Sequence, residues 1–180
     1  MRSKIFISVV CLTFLTAFAV PLHSSIKAEA ICNRIMYSHL DSTMRAVLTD
    51  SLSDIIVKAT KIDVNLLKVP VDTISPIEKT IHCNRERRGI CKYIMVASDY
   101  EIETGIAYGR FSPKIELVFY KKNELCKIRV DVGLKQFKVL TADNEIVNTY
   151  RISDNMLHKL AVMLFPEDDF LVQTLKLQKL

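Results

Sequence analysis

The sequence predicts an α+β fold in which a long amphipathic helix precedes an antiparallel β-meander and two helices close the chain. Three observations carry this. Apolar residues recur at steps of three and four between Cys32 and Thr60, the period changes to two from Lys79 to Ile152, and it returns to the helical spacing from Ser153 onward. The helices are expected to gather on the apolar face of the sheet, which leaves its other face wet.

The first thirty residues stand apart from that pattern. Arg2 and Lys4 precede an apolar run from Ile5 to Val20, Pro21 closes the run, and Ala28-Glu29-Ala30 places small residues around one position. This is the layout of a secretory signal peptide, with cleavage expected between Ala30 and Ile31. The run falls slightly short of the ~20 apolar residues of a membrane-spanning helix, so an uncleaved N-terminal anchor that tethers the protein to the membrane is the alternative. Residues 31–180 then form a single domain, large enough to bury a core.

Processing removes Arg2, Lys4, Lys27 and Glu29, which leaves 22 basic and 19 acidic side chains and a net charge of +3. That charge is too small and too evenly mixed to point to nucleic acid. No second apolar stretch reaches membrane-spanning length, so no span is expected after cleavage. The mature part has no Asn-x-Ser/Thr acceptor and is rich in Lys, Ile and Val but poor in Gly. This composition leans towards a bacterial periplasmic or secreted protein.

Four cysteines survive processing: Cys32, Cys83, Cys91 and Cys126. An even number in an exported chain reads as two disulfides, and sequence alone leaves three pairings open. Local geometry favours Cys83 with Cys91, which flank the polar segment Asn84–Ile90 in what reads as a hairpin. Cys32 is then left for Cys126, a bridge that would staple the first helix to the sheet. In the chain-entropy account the long loop contributes roughly 4–5 kcal/mol and the short one roughly 2–3. His82 adjoins Cys83, but the Cys83–Cys91 spacing is wider than zinc sites use, so no metal is expected.

Taken in order, the first helix carries Ile35, Met36, Leu40, Met44, Leu48, Leu52, Ile55 and Ile56 on one face, with a break expected near Asp50–Ser53, where Ser and Asp compete for backbone hydrogen bonds. Ile62–Ser75 is ambiguous between a strand, through the alternation of Ile62, Val64 and Leu66, and a short helical turn. Thr80–Cys83 and Ile90–Ser98 read as a hairpin, and Glu101–Tyr108 as a weaker strand. The clearest hairpin is Lys114–Tyr120 with Cys126–Val132, apolar on one face and charged on the other. Gln136–Leu140 and Glu145–Ile152 pair around Ala142-Asp143-Asn144, giving about five to seven strands in all. Ser153 should cap a helix whose stripe is Met156, Leu157, Leu160, Ala161 and Leu164. After Pro166, acidic residues crowd the start of a last helix, with Phe170, Leu171 and Leu175 facing inward.

Chemistry is harder to find. Four glycines, Gly89, Gly105, Gly109 and Gly133, build neither a phosphate loop nor a nucleophile elbow. His82 and Cys83 are chain neighbours on an expected strand and point to opposite faces. Asp99, Glu101 and Glu103 could share one strand face, but an edge strand protected by charge explains them. The most unusual surface feature is Asn84-Arg85-Glu86-Arg87-Arg88-Gly89, read as a pinned cationic loop in which Arg85, Arg87 and Arg88 could grip phosphate, sulfate or carboxylate.

The sequence therefore points to an exported, non-enzymatic binding or accessory protein without a cofactor. It would recognise a protein or an anionic envelope component through the open sheet face or the arginine segment. The alternative is a secreted hydrolase, whose site would need a deep pocket where Asp or Glu residues converge with His39 or His158.

Overall fold

The computed structural model describes residues 42–68, 75–97, 100–102 and 109–178. The signal segment, Cys32, His39, Asp99, Glu103 and the first ten residues of the expected long helix lie outside them. The chain divides between Ser38 and His39, and every described residue belongs to the second unit.

The described elements are α1 (Ser42–Lys58), β1 (Lys61–Leu67), β2 (Ile77–His82), α2 (Arg85–Ala97), β3 (Tyr100–Ile102), β4 (Ile115–Lys121), β5 (Glu124–Asp131), β6 (Gln136–Leu140), β7 (Ile146–Ile152), α3 (Met156–Leu164) and α4 (Asp169–Leu177). This is an α+β arrangement. The strands form one antiparallel sheet in the order β2-β1-β4-β5-β6-β7-β3, whose seventh strand, β3, is only three residues long. The meander holds from β4 to β7. β1 slots in beside β4, and β3 pairs with β7 at the far edge.

Alternation sets the two faces. Val64, Leu117, Ile128 and Val139 stand in register across β1, β4, β5 and β6, and all four are fully buried. Phe119 stands opposite Ile62 and Cys126 on the same face, again with no exposure. The described helices pack on this side. Lys121, on the same face as Phe119, reaches Asp54 of α1 at 2.7 Å, and Gln178 at the end of α4 donates to the Val132 carbonyl at 2.9 Å. Asp54 first, then Glu124, holds the Lys121 ammonium in its charged form, so one lysine ties α1 to the β4–β5 turn.

Several local expectations are corrected. The hairpin expected between Thr80–Cys83 and Ile90–Ser98 is a strand followed by a helix, so Arg85–Gly89 opens a helix and is no loop. Asn84 Oδ1 accepts the Arg87 N–H at 2.9 Å, a side-chain cap, and Cys91, Ile94 and Met95 line the buried side at helical spacing. Ile62–Leu67 resolves as strand. α1 is interrupted at Thr49 (φ 57°, ψ 159°), just before the expected segment, and the Thr49 hydroxyl accepts the Leu52 N–H to restart the helix. The N-cap of α3 is Asn155 rather than Ser153, with Asp154 Oδ1 accepting the Met156 N–H at 2.7 Å. Leu171 packs inward as expected, but Phe170 is 54% exposed, with the Lys114 ammonium 6.0 Å from its ring centre.

Candidate functional site

The face opposite the helices was expected to be a wet, charged surface. It is instead a hydrogen-bonded polar layer. β1 contributes Asp63 and Asn65, β4 contributes Glu116, and all three are nearly buried, at 5–6% exposure. Antiparallel register puts Asn65 opposite both Thr80 of β2 and Glu116 of β4, and Glu116 opposite Arg129 of β5.

The side chains use that alignment. Thr80 donates to Asn65 Oδ1 at 2.8 Å, and Asn65 Nδ2 donates to Glu116 Oε1 at 3.0 Å. Arg129 Nε donates to the other Glu116 oxygen at 2.7 Å. Arg129 also reaches Asn144 Oδ1 at 3.3 Å, and Lys127 Nζ donates to the same oxygen at 2.9 Å and to the Ala142 carbonyl at 2.7 Å. One chain of contacts thus runs from the β2 edge to the β6–β7 turn. Each buried polar group in it has a partner, as a low-dielectric setting demands.

A second cluster lies at the other end of β1. Asp63 receives His82 Nδ1 at 2.8 Å and Lys61 Nζ at 2.9 Å, and Lys61 sits 4.6 Å over the Tyr120 ring. Burial alone would push the Asp63 carboxyl up, but the hydrogen bonds from His82 and Lys61 together outweigh it and hold the group below its ordinary value. A carboxyl held low in the folded state adds stability above its unfolded pKa, and that stability fades as pH falls through the folded value. Asp63→Asn should therefore lower the midpoint of thermal unfolding by a few degrees at neutral pH and flatten its decline below about pH 4. Parallel melts of both proteins across pH 2–7 check this. Curves that stay equally spaced down to pH 2 would contradict it.

Above the layer stand three cations. Arg129 and Lys138 are direct cross-strand partners, and Lys127 lies two residues from Arg129 on the same side of β5. Lys138 holds its ammonium 4.3 Å from the Phe111 ring centre. The segment that bears Phe111 is pinned by Asp131, whose Oδ2 accepts the Ser112 N–H at 2.7 Å while Oδ1 accepts the N–H groups of Gly133 and Leu134. The group held for Lys127 is Asn144, which sits at φ 67° in the β6–β7 turn.

The residues singled out from sequence are placed as follows. Arg85, Arg87 and Arg88 share the first turn of α2, with Arg87 exposed and the other two half-buried. Cys83 and Cys91 are brought together, their sulfurs 3.9 Å apart and unbonded. Cys126 is buried under the helices, where desolvation pushes its thiol up to about 12. Glu101 lies on edge strand β3, in register with Arg151.

His158 is buried, with Nε2 donating to the Leu171 carbonyl at 2.8 Å and Nδ1 3.3 Å from Gln178 Oε1, so it ties α3 to α4. The pocket beside it, which Asp131 and Asp154 also line, has a volume of about 10 Å³. That is room for one water and far below the few hundred Å³ that a small-molecule site occupies. Among the described residues no group of three or more His, Cys, Asp or Glu is placed to hold a metal ion, and no helix is long and apolar enough to cross a membrane.

Asn65, Glu116, Asn144 and Phe111 are not marked as site residues by the sequence. Asn144 had a signal: an Asn in a tight turn between two strands favours a left-handed backbone. Asn65 and Glu116 had none, because 51 residues separate them. No family model matches the chain, and no curated protein and no solved structure matches it either.

Proposed function

We propose that this chain is an exported, non-enzymatic binding module whose sheet face opposite the helices recognises an anionic partner, such as an acidic protein surface or an anionic envelope component. The carrying observation is the set Lys127, Arg129 and Lys138, fixed on adjacent strands of one face by Asn144, Glu116 and Phe111. Like charges placed directly opposite across two strands destabilise a sheet, and Arg129 and Lys138 stand in that relation. A ligand that brings negative charge relieves the repulsion. Side chains already held in place lose less rotamer freedom on binding.

The buried acids are engaged below. Glu116 takes Arg129, Asp63 takes Lys61 and His82, and the buried Asp131 accepts three backbone N–H groups, so the charges that β5 and β6 expose on this face are those of Lys127, Arg129 and Lys138. The arginine-bearing turn of α2 is the other cationic candidate, and its residues divide between the sides of a helix, which leaves fewer of them to meet one ligand.

The double variant Lys127→Ala/Lys138→Ala tests the reading. Each lysine near an anionic surface is worth about 1 kcal/mol, so the loss of two should weaken binding to anionic liposomes or heparin on the order of thirtyfold at low salt. Its melting curve should stay near that of the parent, because Arg129 and Glu116 are untouched. Binding equal to the parent would refute the reading.

A further inference from the structure

We propose that Cys83 and Cys91 form a thiol–disulfide exchange site, at which Cys83 reacts with a disulfide carried by another molecule and Cys91 resolves the product. The inference is independent of the anion-binding face and rests on the junction of β2 with α2.

The two thiols differ in access. Cys83 follows the last residue of β2, anchored there by its N–H to the Ile62 carbonyl at 2.9 Å, and keeps 7% exposure, whereas Cys91 has none. Asn84 caps α2 between them, so Cys83 lies at the positive end of a 13-residue helix, with Arg87 and Arg88 in its first turn. Such surroundings favour a thiolate, the nucleophilic form. The Cys91 hydrogen bond first, then Arg87 and more weakly Arg88, hold the Cys83 thiol below its ordinary value against its burial and the Asp63 carboxylate. Hydrogen bonding to Cys83 and burial push Cys91 up. Both thiols are buried, and Cys83 is the one of the pair that keeps some surface for a partner disulfide to meet, with Cys91 behind it to resolve the product.

Geometry allows both oxidation states. The sulfurs are 3.9 Å apart, and a disulfide needs about 2.05 Å, so less than about 2 Å of approach closes the bond. In the first step the Cys83 thiolate attacks one sulfur of a partner disulfide R–S–S–R′. The S–S bond breaks, R′S⁻ departs and takes up the proton that Cys83 gave up, and a Cys83–S–S–R bond forms. In the second step Cys91 loses its proton and attacks Cys83 Sγ. RS⁻ departs and takes that proton, and the Cys83–Cys91 bond forms. Two electrons have passed to the partner disulfide, which leaves as two thiols; the reverse sequence hands the disulfide on.

The test uses the full chain, incubated at pH 7 with defined ratios of glutathione to glutathione disulfide, or with a disulfide-bonded peptide, then alkylated and mapped by mass spectrometry. The Cys83–Cys91 bond should open and close with the ratio while the protein stays folded. Cys91→Ser should accumulate a mixed disulfide at Cys83 at least tenfold faster than at Cys126, Cys83→Ser should give none at Cys91, and Arg87→Ala/Arg88→Ala should slow the reaction severalfold. The faster of the two reagents tells whether a small-molecule disulfide or a peptide disulfide is preferred. A bond that stays closed at every ratio, or a Cys83 that reacts only once the chain unfolds, would overturn the proposal. The titration of the unmutated protein decides this even where a variant fails to fold.

Discussion

Phe119→Ala is expected to destabilise the domain by about 4 kcal/mol, the largest loss from any single change considered. Phe119 sits mid-strand on β4, fully buried, between Ile62 of β1 and Cys126 of β5. Truncation removes the transfer energy of a ring and leaves a cavity that three strands and α1 cannot collapse to fill. The melting midpoint should fall by on the order of 10 °C. In urea the midpoint should drop with little change in slope, since the surface exposed on unfolding is nearly the same. Cys126 supplies a second readout: buried behind Phe119, it should be alkylated faster in the variant. A loss below about 1 kcal/mol would mean that the ring does not fill the core.

Glu116→Ala should cost about 3 kcal/mol, through a different mechanism. The larger part of the loss is in hydrogen-bond partners rather than in packing. The substitution strands Asn65 Nδ2 and Arg129 Nε, both of which now donate to the Glu116 carboxylate. A cation left part-buried without its anion bears most of the penalty. Arg129→Ala in the Glu116→Ala background should therefore restore part of the loss, so that the double variant is more stable than the sum of the two single changes predicts. Additive losses, measured by denaturant unfolding of all four proteins, would show that the two side chains do not interact.

The hairpins β4–β5 and β6–β7 are legible in the sequence because local signals agree. Period-two alternation surrounds short polar turns, and antiparallel pairing follows from turn length alone. The second half of α1, α3 and α4 are legible for the corresponding reason at helical spacing. α2 is not, because residues 80–98 carry two patterns. Ile81 and Cys83 alternate with polar neighbours, and Gly89 resembles a turn marker, yet Asn84 followed by Arg-Glu-Arg-Arg is a capped helix start. Gly89 sits in open space on the helix surface, where it needs no special backbone. The cap and the stripe Cys91, Ile94 and Met95 prevail because they bury three side chains against the other helices.

The candidate site was least legible. Charged residues at alternating positions, as in Lys114–Tyr120, are what a solvated sheet face looks like, so Glu116 reads as wet. Whether a buried carboxylate is satisfied depends on which strand lies beside it. β1 lies beside β4 although α2, β2 and β3 intervene in the chain, an order that no turn encodes. The cationic set suffers likewise, since Lys138 meets Arg129 through register and meets Phe111 through a loop pinned by Asp131.

Chemical-shift mapping with a sulfated oligosaccharide separates the two cationic surfaces most directly. Titration into isotope-labelled protein at low salt should move the amide signals of Lys127, Arg129, Lys138 and Asn144 and leave those of Arg85, Arg87 and Arg88 in place, with the shifts suppressed at high salt. Shifts confined to the first turn of α2, or none at all on β5 and β6, would contradict the assignment of the sheet face as the binding surface.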